Sequence, residues 1–283
     1  MTMPVLNSQA HLEKDQARAA AGRFCVLVSS SDRARDIFEI VFQNSEKMWR
    51  DCDWPRYVGF TSKHPDLYGF TALAAKRPSN WHGELGDQLD SLPEEIQYVM
   101  LTFEDALFMT PVDGAALNAI ADVMVKENLS YISLIPLARN LPGRIIEYFR
   151  RKMSTHPLRP ISFSEPYYSS VCAVIWKRSY LRSLLLMPGN IWDFEHIVTK
   201  ERHYAVWKAA VDQDQIVTRG KWDHQARRRL AEQGLSLENS KRAHRTYASY
   251  LRDMREKIVF QAIGFLSFRI RRRLNRISHR LDE

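Results

Sequence analysis

Between Tyr98 and Asp113 the chain reads YVMLTFEDALFMTPVD, and no other stretch constrains its fold as strongly. Tyr98–Thr102 is an apolar, β-prone run of strand length. Two adjacent acids, Glu104 and Asp105, follow it, and Asp113 stands as N-cap to a helix expected over Gly114–Glu127. A strand that ends in acids and hands over to a capped helix fits an open α/β sheet. Such sheets bind ligands at the carboxyl ends of their strands. Carboxylates held there can take a divalent cation through oxygen and share it with substrate phosphates. A solvated acidic turn after a buried strand is the other reading of the same residues.

The rest of the chain repeats the unit. Phe24–Ser29 (FCVLVS) reads as a buried first strand. Ala34, Ile37, Phe38, Val41, Phe42, Ser45, Met48 and Trp49 recur at three and four residues and predict one buried helical face, capped by Ser31 or Asp32. Tyr57–Thr61 is a second strand. Residues 62–83 show little periodicity and read as a site loop, and Asp87–Ile96 reads as a short helix broken near Pro93. Tyr131–Leu137 and Ser169–Trp176 are further strands. Pro142–His156 reads as a basic helix, and Tyr180, Leu181, Leu184 and Leu185 mark another. The alternation predicts an α/β, Rossmann-like, mainly parallel sheet with flanking helices, plus a C-terminal helical basic extension. The expected division is a lead-in over 1–22, a folded domain over 23–225 and the extension over 226–283.

A chain of 283 residues can bury a substantial core. Cys25, Cys52 and Cys172 form no CxxC pair and no zinc spacing, and their sparse count fits a reducing compartment. The polar N-terminus has no apolar signal region, and no run of about 18 apolar residues exists. The expectation is a cytoplasmic protein. The net charge of +8 is concentrated at the C-terminus, where residues 255–283 carry eight basic against three acidic side chains, a net of +5.

Three further places can carry chemistry. After the first strand, Ser29, Ser30, Ser31 and Asp32 open a helix. A carboxylate there can bond a ribose or base edge, or simply cap its helix. In Asn190–Glu195 (NIWDFE), Asp193 and Glu195 flank Phe194 beside Trp192, which suits a general base next to a sugar-stacking aromatic. The alternative is an acidic helix start. In Val217–Trp222 (VTRGKW), Gly220 between Arg219 and Lys221 can let backbone and cations approach a phosphate; a basic surface turn is the alternative. His64, His82, His196 and His203 have no zinc spacing. The glycines of the dinucleotide and P-loop fingerprints are absent.

Taken in order, FCVLVSSSD (24–32), the block from Trp81 to Asp113, YISLIPL (131–137), SSVCAVIWKRSYLRSLL (169–185), NIWDFE (190–195) and VTRGKW (217–222) resemble bacterial GT-A-fold glycosyltransferases of the kind found in lipopolysaccharide and capsule gene clusters. The resemblance spans roughly residues 23–225. It implies a GT-A-like fold, a nucleotide-sugar donor and transfer to a hydroxyl of a glycan or lipid-linked acceptor. Asp105 would be the last acid of the metal-binding motif, holding Mn2+ or Mg2+, with Glu104 beside it. Ser30, Asp32, Lys221 and Trp192 would contact the nucleotide-sugar. Glu195 would be the base of an inverting displacement, with Asp193 the second choice. The chain departs from the family's Asp-x-Asp pattern, having Phe103-Glu104-Asp105.

In the tail, Ile258, Val259, Ala262, Ile263, Phe265, Leu266, Phe268, Ile270, Leu274 and Ile277 form an apolar stripe beside six arginines. A basic amphipathic helix of this kind suits an anionic membrane surface, which would make the protein peripheral on the inner face of the cell membrane. A terminal helix packed on the domain is the alternative. No nucleic-acid recognition motif accompanies the charge. A non-catalytic GT-A-like binding module at the membrane is the second functional reading. A nucleotidyltransferase ranks below it, because SSSDRAR lacks a glycine-rich basic loop.

Overall fold

The computed structural model describes residues 22–252 and 255, apart from 67, 77–79, 137–147, 164, 166–167, 187–188, 196, 198, 219, 238–239 and 241. The expected lead-in, nearly all of the basic tail, the first half of the Pro142–His156 helix and Arg219 lie outside the described residues. In chain order the elements are β1 (Phe24–Ser29), α1 (Arg35–Met48), β2 (Arg56–Phe60), β3 (Phe70–Ala74), α2 (Trp81–Ser91), β4 (Tyr98–Phe103), β5 (Ala106–Phe108), α3 (Gly114–Lys126), β6 (Tyr131–Ser133), β7 (Leu158–Pro160), β8 (Val174–Lys177), α4 (Arg178–Leu184), α5 (Ile191–Glu195), β9 (Tyr204–Val206), β10 (Gln213–Gln215), β11 (Val217–Thr218), β12 (Lys221–Trp222) and α6 (Ala226–Glu232).

The main sheet has the order β3-β2-β1-β4-β8-β6-β9-β7. The pairing of β1 with β2 and β4, of β2 with β3, and of β6 with β9 is parallel; β8 and β7 run against the rest. This is an α/β, Rossmann-like sheet flanked by helices. Continuous apolar strands follow from it, because a parallel strand covered on both faces buries every side chain. All six residues of β1 are buried. Alternate residues serve opposite layers. Val26 and Met100 pack with Leu117, Ala121 and Met124 of α3. Leu27 and Leu101 pack with Leu85 and Leu89 of α2 and Leu181 of α4. Val28 joins Ile37, Phe38, Val41 and Phe42 of α1 and Leu230 of α6. Each fully buried side chain of this size contributes about 1.5–3 kcal/mol.

Several sequence expectations change. Residues 62–83 are not all loop: Phe70–Ala74 is the edge strand β3. The helix expected from Asp87 begins at Trp81, where the Asn80 side chain accepts from Gly83 N at 3.0 Å. The strands expected over 131–137 and 169–176 shorten to Tyr131–Ser133 and Val174–Lys177. Neither Ser31 nor Asp32 makes a side-chain cap. A short 3-10 turn over Asp32–Ala34 leads into α1 instead. Asp113 does cap α3, accepting from Ala116 N at 2.9 Å. The residues after 225 do not leave the domain at once. Ala226, Leu230 and Leu235 are in the α1 core, and Arg245 N donates to Trp222 O. No described helix is long and apolar enough to cross a membrane.

Candidate functional site

The chain passes outward from β1 through β2 to β3, then returns to place β4 on the other side of β1. In open α/β sheets ligands bind where the strand order reverses, outside the carboxyl ends of the strands. Here that point lies between the ends of β1 and β4, where Ser29 is in register with Phe103. Ser30 and Asp32 follow the first strand; Glu104 and Asp105 follow the second.

On the β1 side, Ser29 accepts from Trp81 Nε1 at 3.1 Å, and Ser30 N donates to Gly59 O at 3.2 Å. The Ser30 hydroxyl is buried with no hydrogen-bond partner among the described residues. Asp32 Oδ1 receives Ser62 N at 3.3 Å and lies 3.1 Å from His64 Nε2, whose ring rests on Phe60. Partial burial raises the Asp32 carboxyl, but the hydrogen bonds from Ser62 and His64 and the histidine's charge outweigh it and hold the group below the usual carboxylate range.

The β4 side is clamped from three directions. β4 is laddered to β1, and β5 pairs with β10 antiparallel. The buried Asn44 amide of α1 both donates to Phe108 O and accepts from Phe108 N at 3.2 Å, standing in for a further strand along β5. The intervening turn holds Glu104 and Asp105. Burial, then the Asp105 charge, pushes the Glu104 carboxyl up to about 7. Burial also raises Asp105, opposed by Gln215, whose Nε2 donates to Asp105 Oδ2 at 2.9 Å. The Arg242 guanidinium acts favourably on both acids while holding Asp36 at 2.7 and 2.9 Å.

Glu195, the last residue of α5, and Asp105 both act electrostatically on the Cys172 thiol. Its burial, with those two charges, pushes it up to about 12. Asp193 is engaged differently: Asn190 accepts from Trp192 N and Asp193 N, and Asp193 Oδ2 accepts from Asn190 N at 3.3 Å. That reciprocal cap fixes the start of α5. Phe194 is buried against Trp81 and Trp176, whereas Trp192 is 54% exposed. Lys221 is exposed in the β11–β12 hairpin, whose turn uses Gly220 at φ +71°. Arg242 donates to Gly220 O at 3.0 Å and ties that hairpin to α1.

Among the described residues no three His, Cys, Asp or Glu side chains are grouped to hold a metal. Two neighbouring acids remain, which fits an ion completed by water and substrate phosphate oxygens rather than a protein cage. Sequence reasoning missed Ser62, His64, Gln213, Gln215 and Arg242. The alternation Gln213-Asp214-Gln215 carried a signal: period two puts both amides on one face, and they reach Thr102 and Asp105. Arg242 carried none, since it meets Asp36 from 206 residues away.

No protein-family model matches the chain, and no curated protein matches it. Among solved structures it is similar to a cytidylyltransferase from Leptospira borgpetersenii serovar Hardjo-bovis (strain JB197), with 11% identity, a TM-score of 0.38, and coverage of 62% of this chain and 69% of that one. A likeness at that level says nothing of this chain's activity.

Proposed function

We propose that the protein is a nucleotide-sugar-dependent glycosyltransferase acting on a hydroxyl of a glycan or lipid-linked acceptor. The observation that carries the reading is the acid pair Glu104–Asp105, clamped at the reversal point of the sheet opposite Ser30 and Asp32. A nucleoside has the Asp32 carboxylate on the β1 side, two residues after Ser30, whose hydroxyl, unpartnered among the described residues, would have to be uncovered to join it. On the β4 side the acids would hold Mg2+ or Mn2+, which when bound would neutralise the diphosphate leaving group. Lys221 stands in the β11–β12 hairpin, which follows Ile216, whose N donates to the Asp105 backbone O, and it would add positive charge to the same end of the donor. Glu195 takes the proton from the acceptor hydroxyl as that oxygen attacks the anomeric carbon, and a single displacement inverts its configuration. Trp192 offers an exposed face to a sugar ring, and Asp193 holds the turn that presents both residues.

The test is a thermal-shift and turnover screen of nucleotide-sugars with and without Mg2+ or Mn2+. Asp105→Ala should abolish metal-enhanced stabilisation by the donor. Glu195→Gln should keep donor binding and lose on the order of 100- to 10,000-fold in transfer. Turnover by Glu195→Gln at the wild-type rate removes Glu195 from the reaction. A folded wild type that no nucleotide-sugar stabilises removes the proposal.

A further inference from the structure

Residues 148–153, Tyr-Phe-Arg-Arg-Lys-Met, form a helical stretch in which every residue is exposed. Three of its side chains are large and apolar: Tyr148 is 55% exposed, Phe149 58% and Met153 78%. A soluble surface tolerates such residues singly, but a cluster of them marks a surface that meets something. The two aromatic rings are in edge contact at 5.6 Å, and Lys152 Nζ lies 4.9 Å from the Tyr148 ring. Arg150, Arg151 and Lys152 add three positive charges to the same exposed stretch, and none has a salt bridge among the described residues.

The charges select the occupant. The chain's own C-terminal residues carry a net of +5 over 255–283 and repel this patch. A second copy docked on the same face would set three cations against three. A polyanion alone would satisfy Arg150, Arg151 and Lys152 and leave Phe149 and Met153 in water. An anionic bilayer surface satisfies both halves: phosphate and carboxylate headgroups meet the cations, and the aromatic rings and thioether enter the headgroup–acyl boundary. We infer that residues 148–153 dock the protein onto an anionic lipid surface. The inference stands whether or not the protein transfers a sugar.

The experiment is cosedimentation of the full chain with phosphatidylcholine vesicles and with vesicles that also contain phosphatidylglycerol. Two full-length variants accompany it: Tyr148→Ser/Phe149→Ser, and Arg150→Gln/Arg151→Gln/Lys152→Gln. These side chains are exposed, so the melting temperature should stay at the wild-type value. Wild type should bind only the anionic vesicles. The charge variant should lose on the order of 100-fold in partitioning, and the aromatic variant should lose binding that high salt cannot remove. Wild-type partitioning by both variants places the affinity in another segment and overturns the inference. So does failure of wild type to bind, or a charge variant impaired toward an RNA duplex but not toward vesicles.

Discussion

The sheet has two halves built on different physics. In β3-β2-β1-β4, strands of five or six residues run parallel and bury apolar side chains, aliphatic and aromatic alike, among them the stacked pair Phe24–Tyr98 and Phe70, stacked on Phe42 of α1. In β8-β6-β9-β7, strands of three or four residues run in mixed directions around a ring cluster. His203 is stacked between Tyr131 and Tyr168 at 4.2 Å each and meets the edge of Trp176. Its Nδ1 bonds Tyr168 O at 2.8 Å and its Nε2 lies 3.1 Å from the Tyr180 hydroxyl. The first half packs through apolar contacts, with no buried histidine against the rings of its strands among the described residues, and it presents its strand ends to the candidate site. The second depends on directional contacts with a titratable group at their centre. The site draws on both, since Asp105 belongs to the first half and Glu195 to a helix packed on the second.

The largest effect should come from removing a support of each half. Trp176→Ala, with its ring fully buried among Tyr131, Phe194 and His203, should cost about 3–5 kcal/mol, and Leu101→Ala in β4 about 2–5 kcal/mol. Urea unfolding measures both. A cost below about 1 kcal/mol for Trp176→Ala would mean that the ring cluster is not what holds the mixed half.

Acid should separate the halves next. Burial depresses the His203 imidazole to about 4, partly opposed by its bond to Tyr168 O. The unfolded chain, with histidine near 6.5, therefore binds more protons between these values. The stability from a neutral His203 is complete above about pH 6.5 and is lost as pH falls toward 4, on the order of 3 kcal/mol in all. Hydrogen exchange should show β8 and β9 losing protection over this range before β1 and β4. His203→Phe should flatten the dependence. Equal loss across the sheet would deny the two-part picture.

A smaller effect tests how the parallel half is joined to its helices. A Cβ on Gly114, at the start of α3, would lie 1.8 Å from Asp51 O, so α3 and the connection between α1 and β2 touch backbone to backbone. Gly114→Ala should cost about 1–3 kcal/mol through overpacking. Thermal unfolding at the wild-type midpoint would show that the loop yields freely.

The same division governs what the sequence discloses. β1 and β4 announce themselves because burial on both faces requires unbroken apolar runs. β7 and β9 are three residues each, too short for any period to register, and β3 (FTALA) hides among residues with little pattern. The strand-turn-helix arrangement around Glu104, Asp105 and Asp113 is local and readable. The clamps on it are not, because Asn44, Gln215 and Arg242 reach it from 60 to 140 residues away in a register that only the folded sheet defines.

Asp32 and Asp113 sharpen this last point, since both look like N-caps in the sequence. Asp113 is one: it binds Ala116 N, three residues on. Asp32 instead binds Ser62 and His64, across from the next parallel strand. Asp113→Ala should therefore lower stability by about 1 kcal/mol and leave nucleotide-sugar binding untouched. Asp32→Ala removes no cap, so its effect on the melting temperature should be the smaller of the two. If the proposed function holds, its effect falls on donor binding, through the lost carboxylate and a released His64. Calorimetric unfolding paired with a donor titration reads both variants. If Asp32→Ala costs as much stability as Asp113→Ala and binds donor normally, then Asp32 is a structural tie between β1 and β2 and no part of the proposed donor site.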